Sequence, residues 1–411
     1  MMGPPATALV RFLRLSLSAA LSAIPLLAAE PLFPPETVAQ IRKGLSEVYN
    51  LDHARAIETY QSMIRQSPGD PAGYAYLAKV YWLQELVTKQ ELSIDRFAAS
   101  DFFAETPRYQ PQVDPAAEAK FNEVNALAIE KARARLEKNP GDRATQYLLG
   151  LAYQNEASFE ASLKRAWWAS FRAGSKTYRL HRDLLREDPS FHDAYLSIGV
   201  FDYVTGRLGW NVKWLAFLLG YRGSKERGKE EIRLAVDKGV LAGDDARVVL
   251  TLIYTREREF QAAFDEMSIL LKKYPQNYLV HLDMGGVALL MDRHDAALLI
   301  YQDILRKVTA QEPKYRELGE AAVANRLGVA YRQKGELQHS IEWFQRALKA
   351  PDKTGLSQVV SRLEGGKTYD RMGRRDDATR EYKAVLGLEN FAGSREEARE
   401  LLQAPYRGRR D

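Results

Sequence analysis

Residues that could do acid–base or metal chemistry are scattered along this chain. No two histidines stand four residues apart on one predicted helix beside an acid, which is the spacing that a helical zinc site needs. We therefore expect surface or partly buried polar groups at His53, His181, His192, His281, His294 and His339. Because the sequence contains no cysteine, disulfides and thiolate chemistry are excluded.

Other motifs that can carry chemistry also fail on spacing or context. The GGKT at 365–368 is similar to the end of a phosphate-binding loop, but that motif needs Gly at 361, where this sequence has Ser. The nucleophile motif G-x-S-x-G is absent. The acid pairs at 244–245 and 376–377 begin predicted helices, where carboxylates favour the positive end of the macrodipole. The sequence therefore predicts no catalytic residues, no cofactor and no metal.

An aromatic pair, Trp167 and Trp168, is flanked by Lys164, Arg165 and Arg172. Such a pair could stack bases or a peptide. The alternative, which we favour, is an extended helix over 159–173 that buries one ring and half-buries the other. The formal net charge is only +5, and the charged residues are interspersed along the chain. That distribution is typical of a solvated surface and does not indicate a nucleic-acid interface.

The elements that would position any site are paired amphipathic helices. The clearest pair lies at 321–351, where large, small and turn residues fall in one phase. These residues are Leu327, Gly328, Tyr331, Gly335, Phe344, Ala347 and Pro351. Gly335 can end the first helix in a left-handed conformation, and Gly328 lets the second helix approach closely. The stretch resembles the tetratricopeptide repeat (TPR) family, whose period is about 34 residues.

The same phase recurs along the chain as a small residue followed sixteen positions later by a bulky one. The pairs are Gly44 with Tyr60, Thr251 with Met267, Gly285 with Tyr301, Gly328 with Phe344, and Gly366 with Tyr382. About eight repeats begin near Thr37, Pro71, Arg143, His192, Asp244, Tyr278, Ala321 and Val359. The resemblance implies an all-α, right-handed helical solenoid over 30–411, with irregular insertions near 86–115 and 206–228 and a capping helix near 394–403.

The first 29 residues do not fit the repeat and have the order of a secretory signal. Arg11 and Arg14 precede an apolar run from Leu15 to Leu27, and two alanines follow it. The thirteen residues of the run span roughly 20 Å as a helix, which is short of the ~30 Å hydrocarbon core. We therefore expect cleavage after Ala29 and an exported chain, periplasmic or extracellular. An uncleaved membrane anchor is the alternative.

The family resemblance also implies a concave groove, lined by the first helix of each pair, in which a protein or peptide partner binds. Family clamps for a C-terminal carboxylate use Lys, Asn and Arg on successive first helices, whereas Leu282 and Leu363 stand at such positions here. A mixed polar and apolar groove is therefore predicted, with Arg332 and Lys367 facing solvent. The predicted groove residues are Asn325, Arg326, Arg332, Lys367 and Arg371.

The segment 208–220 is the most apolar part of the chain after the predicted signal. Trp210, Trp214 and Phe217 share one face of a helix that reaches only about 20 Å and cannot span a bilayer. It either packs inside the solenoid, which we favour, or docks onto a partner or a membrane surface. The surrounding residues resemble the eukaryotic inclusion-body-clearance branch of TPR proteins, which implies an adaptor. Those residues are Gly199, Phe201, Lys213, Leu215, Phe217, Leu218, Gly220, Gly223 and Gly228.

Together these patterns predict an exported, non-enzymatic TPR scaffold or adaptor that binds a protein or peptide partner in its groove. One alternative is an envelope-associated assembly module that docks through 208–220, with a peripheral membrane contact. A second alternative is an enzyme built on TPR helices, which the lack of a convergent acid, base or metal set disfavours. No nucleic-acid partner is expected.

Overall fold

A computed structural model describes residues 32–88, 113–207, 222–352, 354–391 and 393–408. Throughout these ranges the regular elements are helices, which confirms the predicted all-α class. The predicted signal at 1–29 lies outside the described residues, as do 89–112 and 208–221, which make up most of the two predicted insertions. In the described ranges no helix is both long enough and apolar enough to cross a membrane.

Consecutive helices pack against each other as pairs, and each pair packs against the next. The pairs in the described residues are α1 (Pro35–Tyr49) with α2 (His53–Gln66), α3 (Pro71–Thr88) with α4 (Pro115–Lys138), α5 (Arg143–Ser162) with α6 (Trp167–Glu187), α7 (Tyr195–Arg207) with α8 (Lys225–Lys238), α9 (Gly243–Arg256) with α10 (Phe260–Lys273), α11 (Tyr278–Leu290) with α12 (His294–Thr309), α14 (Glu320–Lys334) with α15 (Leu337–Lys349), and α16 (Leu356–Arg371) with α17 (Arg375–Leu386). The short α13 (Tyr315–Leu318) precedes α14, and α18 (Ser394–Gln403) follows the last pair.

The predicted glycine positions are where the two helices of a pair meet. A Cβ on Gly328 would stand 2.7 Å from Cε1 of Phe344, which is closer than carbon atoms approach without displacement. A tyrosine ring fills the same place opposite Gly44, Gly285 and Gly366. These rings, of Tyr60, Tyr301 and Tyr382, are fully buried. The small-and-large spacing thus reports a real contact, and the predicted phase of the repeat is confirmed.

The α5–α6 connection differs from the sequence expectation of one extended helix over 159–173. Helix α5 ends at Ser162, and α6 begins at Trp167. Between them Arg165 has φ 54°, a left-handed conformation that stops a helix. Both tryptophans of the pair therefore lie in the first turn of α6. Trp168 is 69% exposed and Trp167 is half-buried, so the expectation that one ring would be fully buried is wrong.

The solenoid also contacts itself over a long sequence distance, in what we call the closing contact, formed by Tyr49, Lys79, Asp245 and Tyr274. The Asp245 carboxylate at the start of α9 accepts a hydrogen bond from the Tyr49 hydroxyl and pairs with the Lys79 ammonium. The rings of Tyr49 and Tyr274 stack with their centroids 5.0 Å apart. The N-terminal pair is thereby joined to helices about two hundred residues further along the chain.

Candidate partner-binding surface

The first helices α14 and α16 lie side by side and form a polar surface that we call the C-terminal seam, made of Arg332, Glu364, Lys367, Asp370 and Arg371. Asn325 lies inside this contact. Its amide donates to the carbonyl of Ser357 at 2.9 Å and accepts from the Ser361 hydroxyl at 2.6 Å. On the other side of α14, Gly328 packs against α15, so the two faces of the helix have different partners.

A row of alternating charges crosses the seam from α14 to α18. The Arg332 guanidinium pairs with the Glu364 carboxylate and donates to the Glu364 carbonyl at 2.9 Å. Lys367 Nζ contacts Glu364 Oε1 at 2.5 Å and Glu397 Oε1 of α18 at 2.6 Å. Only 6% of the Arg332 side chain and 12% of the Lys367 side chain are exposed. Side chains this buried are fixed by their partners and do not swing into solvent.

Two members of this row, Glu364 and Lys367, have pKa values shifted by their neighbours. Burial alone would raise the pKa of Glu364, but the charges and hydrogen bonds of Lys367 and Arg332 outweigh it and lower that pKa to about 2. Burial would lower the pKa of Lys367, yet Glu364 and Glu397 raise it. A carboxylate that stays ionised and an ammonium that stays charged cannot exchange protons near neutral pH. The row offers fixed charges for binding, and it does not offer an acid–base pair.

A buried carboxylate, Asp370, lies at the end of α16 beside this row. Its side chain is 1% exposed. It pairs with Arg375 at 3.0 Å and accepts from the Tyr382 hydroxyl at 2.9 Å. It also accepts the backbone N–H of Tyr406 at 2.8 Å. Asp370 thus anchors a segment of chain that follows the last helix.

That segment, residues 404–408, crosses the seam in a non-helical conformation. The Tyr406 ring lies over the Arg332 guanidinium at 5.5 Å and near the Lys367 ammonium at 5.8 Å, measured to the ring centroid. Both distances fall in the range at which a cation is attracted to an aromatic face. A short non-helical segment of the chain itself therefore lies on the first-helix face through Tyr406.

The structure corrects the expected exposure of the predicted groove residues. Arg332 and Lys367 do not face solvent, because Glu364 and Glu397 hold them between neighbouring first helices. Asn325 is 4% exposed and bridges α14 to α16. Arg326 is half-buried, whereas Arg371 is exposed and donates to the Arg332 carbonyl at 2.7 Å. Four of the five lie at or beside the α14–α16 contact, with Arg371 the most accessible of them.

The other predicted contact residues, Trp210, Trp214 and Phe217, lie outside the described residues. The choice between packing and docking for 208–220 therefore stays a prediction. The same holds for the resemblance to the inclusion-body-clearance branch, since several of its residues fall in that stretch.

In the described part of the N-terminal half, the first helix α3 does not line an open groove. Every residue of α3 from Pro71 to Val80 is buried. Tyr76 and Tyr147 belong to one apolar cluster that extends from Phe33 to Leu241. The closing contact brings α1 and α9 over this cluster, so the first-helix face is sealed there. At the C-terminal repeats the first-helix face carries the C-terminal seam, on which Tyr406 lies.

Local pattern could not locate the closing contact, because its partners are 166 and 196 residues apart. One signal was present. Lys79 stands alone in the apolar run YAYLAKVYW, and an isolated charge on a buried helix requires a partner. The same reasoning does not say which acid the partner is.

Two histidines are buried and uncharged. Burial lowers the pKa of His181 to about 4, although a hydrogen bond with the Tyr147 carbonyl opposes the shift. Burial, with the nearby Lys307 charge, also lowers the pKa of His281 to about 4. Where the structure describes the chain, no three His, Asp or Glu side chains converge on a point that could hold a metal ion.

Residues 321–354, which include α14, α15 and most of the link to α16, match the tetratricopeptide repeat family. The recurrent contacts at Gly44, Gly285 and Gly366 extend the same helix-pair geometry along the chain. Residues 321–354 are therefore a tetratricopeptide repeat, and the described helix pairs repeat its geometry. No curated protein sequence matches it significantly.

The solved structures that match this chain do so at low identity. Yeast Tom70 is 12% identical over 90% of this chain and 95% of its own, with a TM-score of 0.36. A tetratricopeptide repeat protein from Parabacteroides merdae is 12% identical over 80% and 99%, with a TM-score of 0.30. The human IFIT1 dimer with m7Gppp-AAAA is 12% identical over 90% and 87%, with a TM-score of 0.41. Similarity at this level carries no information about partners.

Proposed function

We propose that this protein is a non-enzymatic scaffold that holds an extended segment of a protein partner on the first-helix face of its C-terminal repeats. The observation that carries the proposal is the C-terminal seam, where the Tyr406 backbone N–H donates a hydrogen bond to the Asp370 carboxylate and the Tyr406 ring lies over the Arg332 guanidinium. Stacked helix pairs supply such extended binding surfaces, and the chemistry of the surface varies freely on the scaffold.

An enzyme on the same scaffold has less support. The lowered pKa of Glu364 and the raised pKa of Lys367 keep both groups charged near neutral pH, which removes this pair as a general acid and base. The buried histidines have pKa values of about 4 and face protein hydrogen-bond partners. We therefore base the function on binding.

The binding proposal is tested at Arg371, which is exposed beside the seam. After cross-linking in the native host, Arg371→Glu should lower recovery of the partner at least about tenfold, because it reverses a charge at the edge of the interface. Lys349→Glu is the matched control, since Lys349 is equally exposed but lies on the second helix α15. Equal recovery with both variants, at unchanged melting temperature, would move the interface away from the seam.

We further propose that the protein is exported, on the strength of the basic residues and the apolar run at 11–27. The intact mass of the protein purified from its native host should correspond to a chain that begins at or near Glu30. A soluble cytoplasmic protein that retains Met1 would contradict export. The anchored alternative predicts the full mass in the membrane fraction.

A further inference from the structure

We infer that the C-terminal seam is a recognition site for an extended segment with an aromatic side chain, and that Tyr406 of the chain's own tail occupies this site until a partner displaces it. The inference rests on the proposed binding function and adds the kind of partner. The site consists of a buried carboxylate that accepts a backbone N–H, two cations held by carboxylates, and the tail segment that a partner can replace.

Asp370 is the carboxylate that accepts the backbone N–H. Its carboxylate is almost completely buried, and Arg375 and Tyr382 hold its orientation with contacts of 3.0 and 2.9 Å. The third donor to this carboxylate is the Tyr406 N–H, at 2.8 Å. Because a buried acceptor is costly to leave short of donors, Asp370 favours any segment that presents an N–H at this point. A residue without that N–H, namely proline, cannot take the position of Tyr406.

The aromatic position is defined by Arg332 and Lys367. Both cations lie under the Tyr406 ring, and both are held from below by carboxylates of Glu364 and Glu397. Since these bonds do not involve the ring, the cations stay in place when the ring leaves. The site is therefore preorganised for an aromatic face, which limits the entropy lost when a partner binds.

The tail, residues 404–408, follows the last helix and is not part of any helix. Helix α18 ends at Gln403, and Arg375 already caps it by donating to the carbonyls of Leu401 and Leu402 at 2.8 Å. Around Tyr406 the flanking residues Ala404, Pro405 and Arg407 are exposed. The strand is thus anchored mainly at one residue, which a competing segment can replace.

The partner is accordingly an extended protein segment that presents Tyr, Phe or Trp at one position and a free backbone N–H at the same residue. A folded helix cannot make both contacts, because its backbone N–H groups beyond the first turn are already bonded internally. The chain's own tail meets both requirements and serves as the probe for the site.

The experiment uses a fluorescein-labelled peptide of residues 403–411 and the chain truncated after Gln403. The peptide should bind the truncated chain saturably. It should bind the full chain about tenfold more weakly, because the tethered tail competes at an effective concentration of roughly millimolar. A peptide with Tyr406→Ala should not bind. Failure of the truncated chain to bind the wild-type peptide would overturn the inference.

A second variant keeps the test independent of truncation. In the full chain, Tyr406→Ala should open the site and restore peptide binding, whereas Tyr406→Phe retains the ring and should bind as weakly as wild type. Equal binding by these two variants would contradict the aromatic contact. If the full chain dimerises and Tyr406→Ala abolishes the dimer, the seam binds a second copy of the chain. That result would overturn the inference. A further outcome is that the peptide fails to bind while recovery of the partner still depends on Arg371. That combination would overturn this inference and leave the scaffold proposal intact.

Discussion

Replacement of Glu364 by glutamine (Glu364→Gln) is expected to lower the free energy of unfolding by about 3 kcal/mol, because it leaves the buried Arg332 and Lys367 without their shared carboxylate. The side chains of all three are largely inaccessible. Urea unfolding followed by far-UV circular dichroism measures the change. Glu312→Gln is the control, since its pair with Arg306 is exposed on both sides and is worth about 0–1 kcal/mol. Equal midpoints for the two variants would contradict the buried row.

The same carboxylate makes the stability of the protein depend on pH in a defined direction. The pKa of Glu364 is lowered from 4.5 to about 2 in the folded chain. A lowered carboxyl pKa adds stability that is fully present above the unfolded value and is lost as the pH falls toward the folded value. Wild type should therefore lose more stability than Glu364→Gln between pH 4.5 and pH 2. Parallel losses would show that another group dominates the acid transition.

The second large effect is expected at the closing contact. Lys79→Met should destabilise the chain by about 3–5 kcal/mol, because Asp245 would be left with an uncompensated, mostly buried charge. In a double-mutant cycle, Asp245→Asn should cost much less in the Lys79→Met background than in wild type. Thermal unfolding of the four proteins gives the coupling free energy.

The neighbouring pair provides the matched control for this cycle. Lys273 contacts Asp244 at 2.6 Å, but 57% of its side chain is exposed. Lys273→Met should cost no more than about 1 kcal/mol. If Lys79→Met is equally mild, α3 and α9 are not held together by this ion pair.

Helix pairing could be predicted because the residues that make each contact lie within one repeat. Gly328 and Phe344 are sixteen positions apart, so a single hairpin brings them together, and the same local geometry recurs at Gly366 and Tyr382. The turn at Gly335, with φ 91°, is likewise a property of one residue. Features of this kind require no knowledge of how distant repeats are arranged.

Side-chain partners between repeats could not be predicted in the same way. The spacing correctly placed Arg332 and Lys367 on first helices, yet it gave no sign that Glu364 and Glu397 would bury them. From the sequence, the residues of the tail at 406–411 are expected to fray. Their contact with Asp370 depends on where α16 ends relative to α18, a tertiary relation that periodicity does not contain.

The closing contact can form only late in the synthesis of the chain. Tyr49 and Asp245 are separated by 196 residues, and a ribosome adds about 5–20 residues each second. The first helices therefore leave the exit tunnel roughly 10–40 s before α9 can meet them. During that interval Lys79 has no acid to pair with, and α3 presents an apolar side to its surroundings. The N-terminal repeats can therefore complete this contact only after translation passes residue 245.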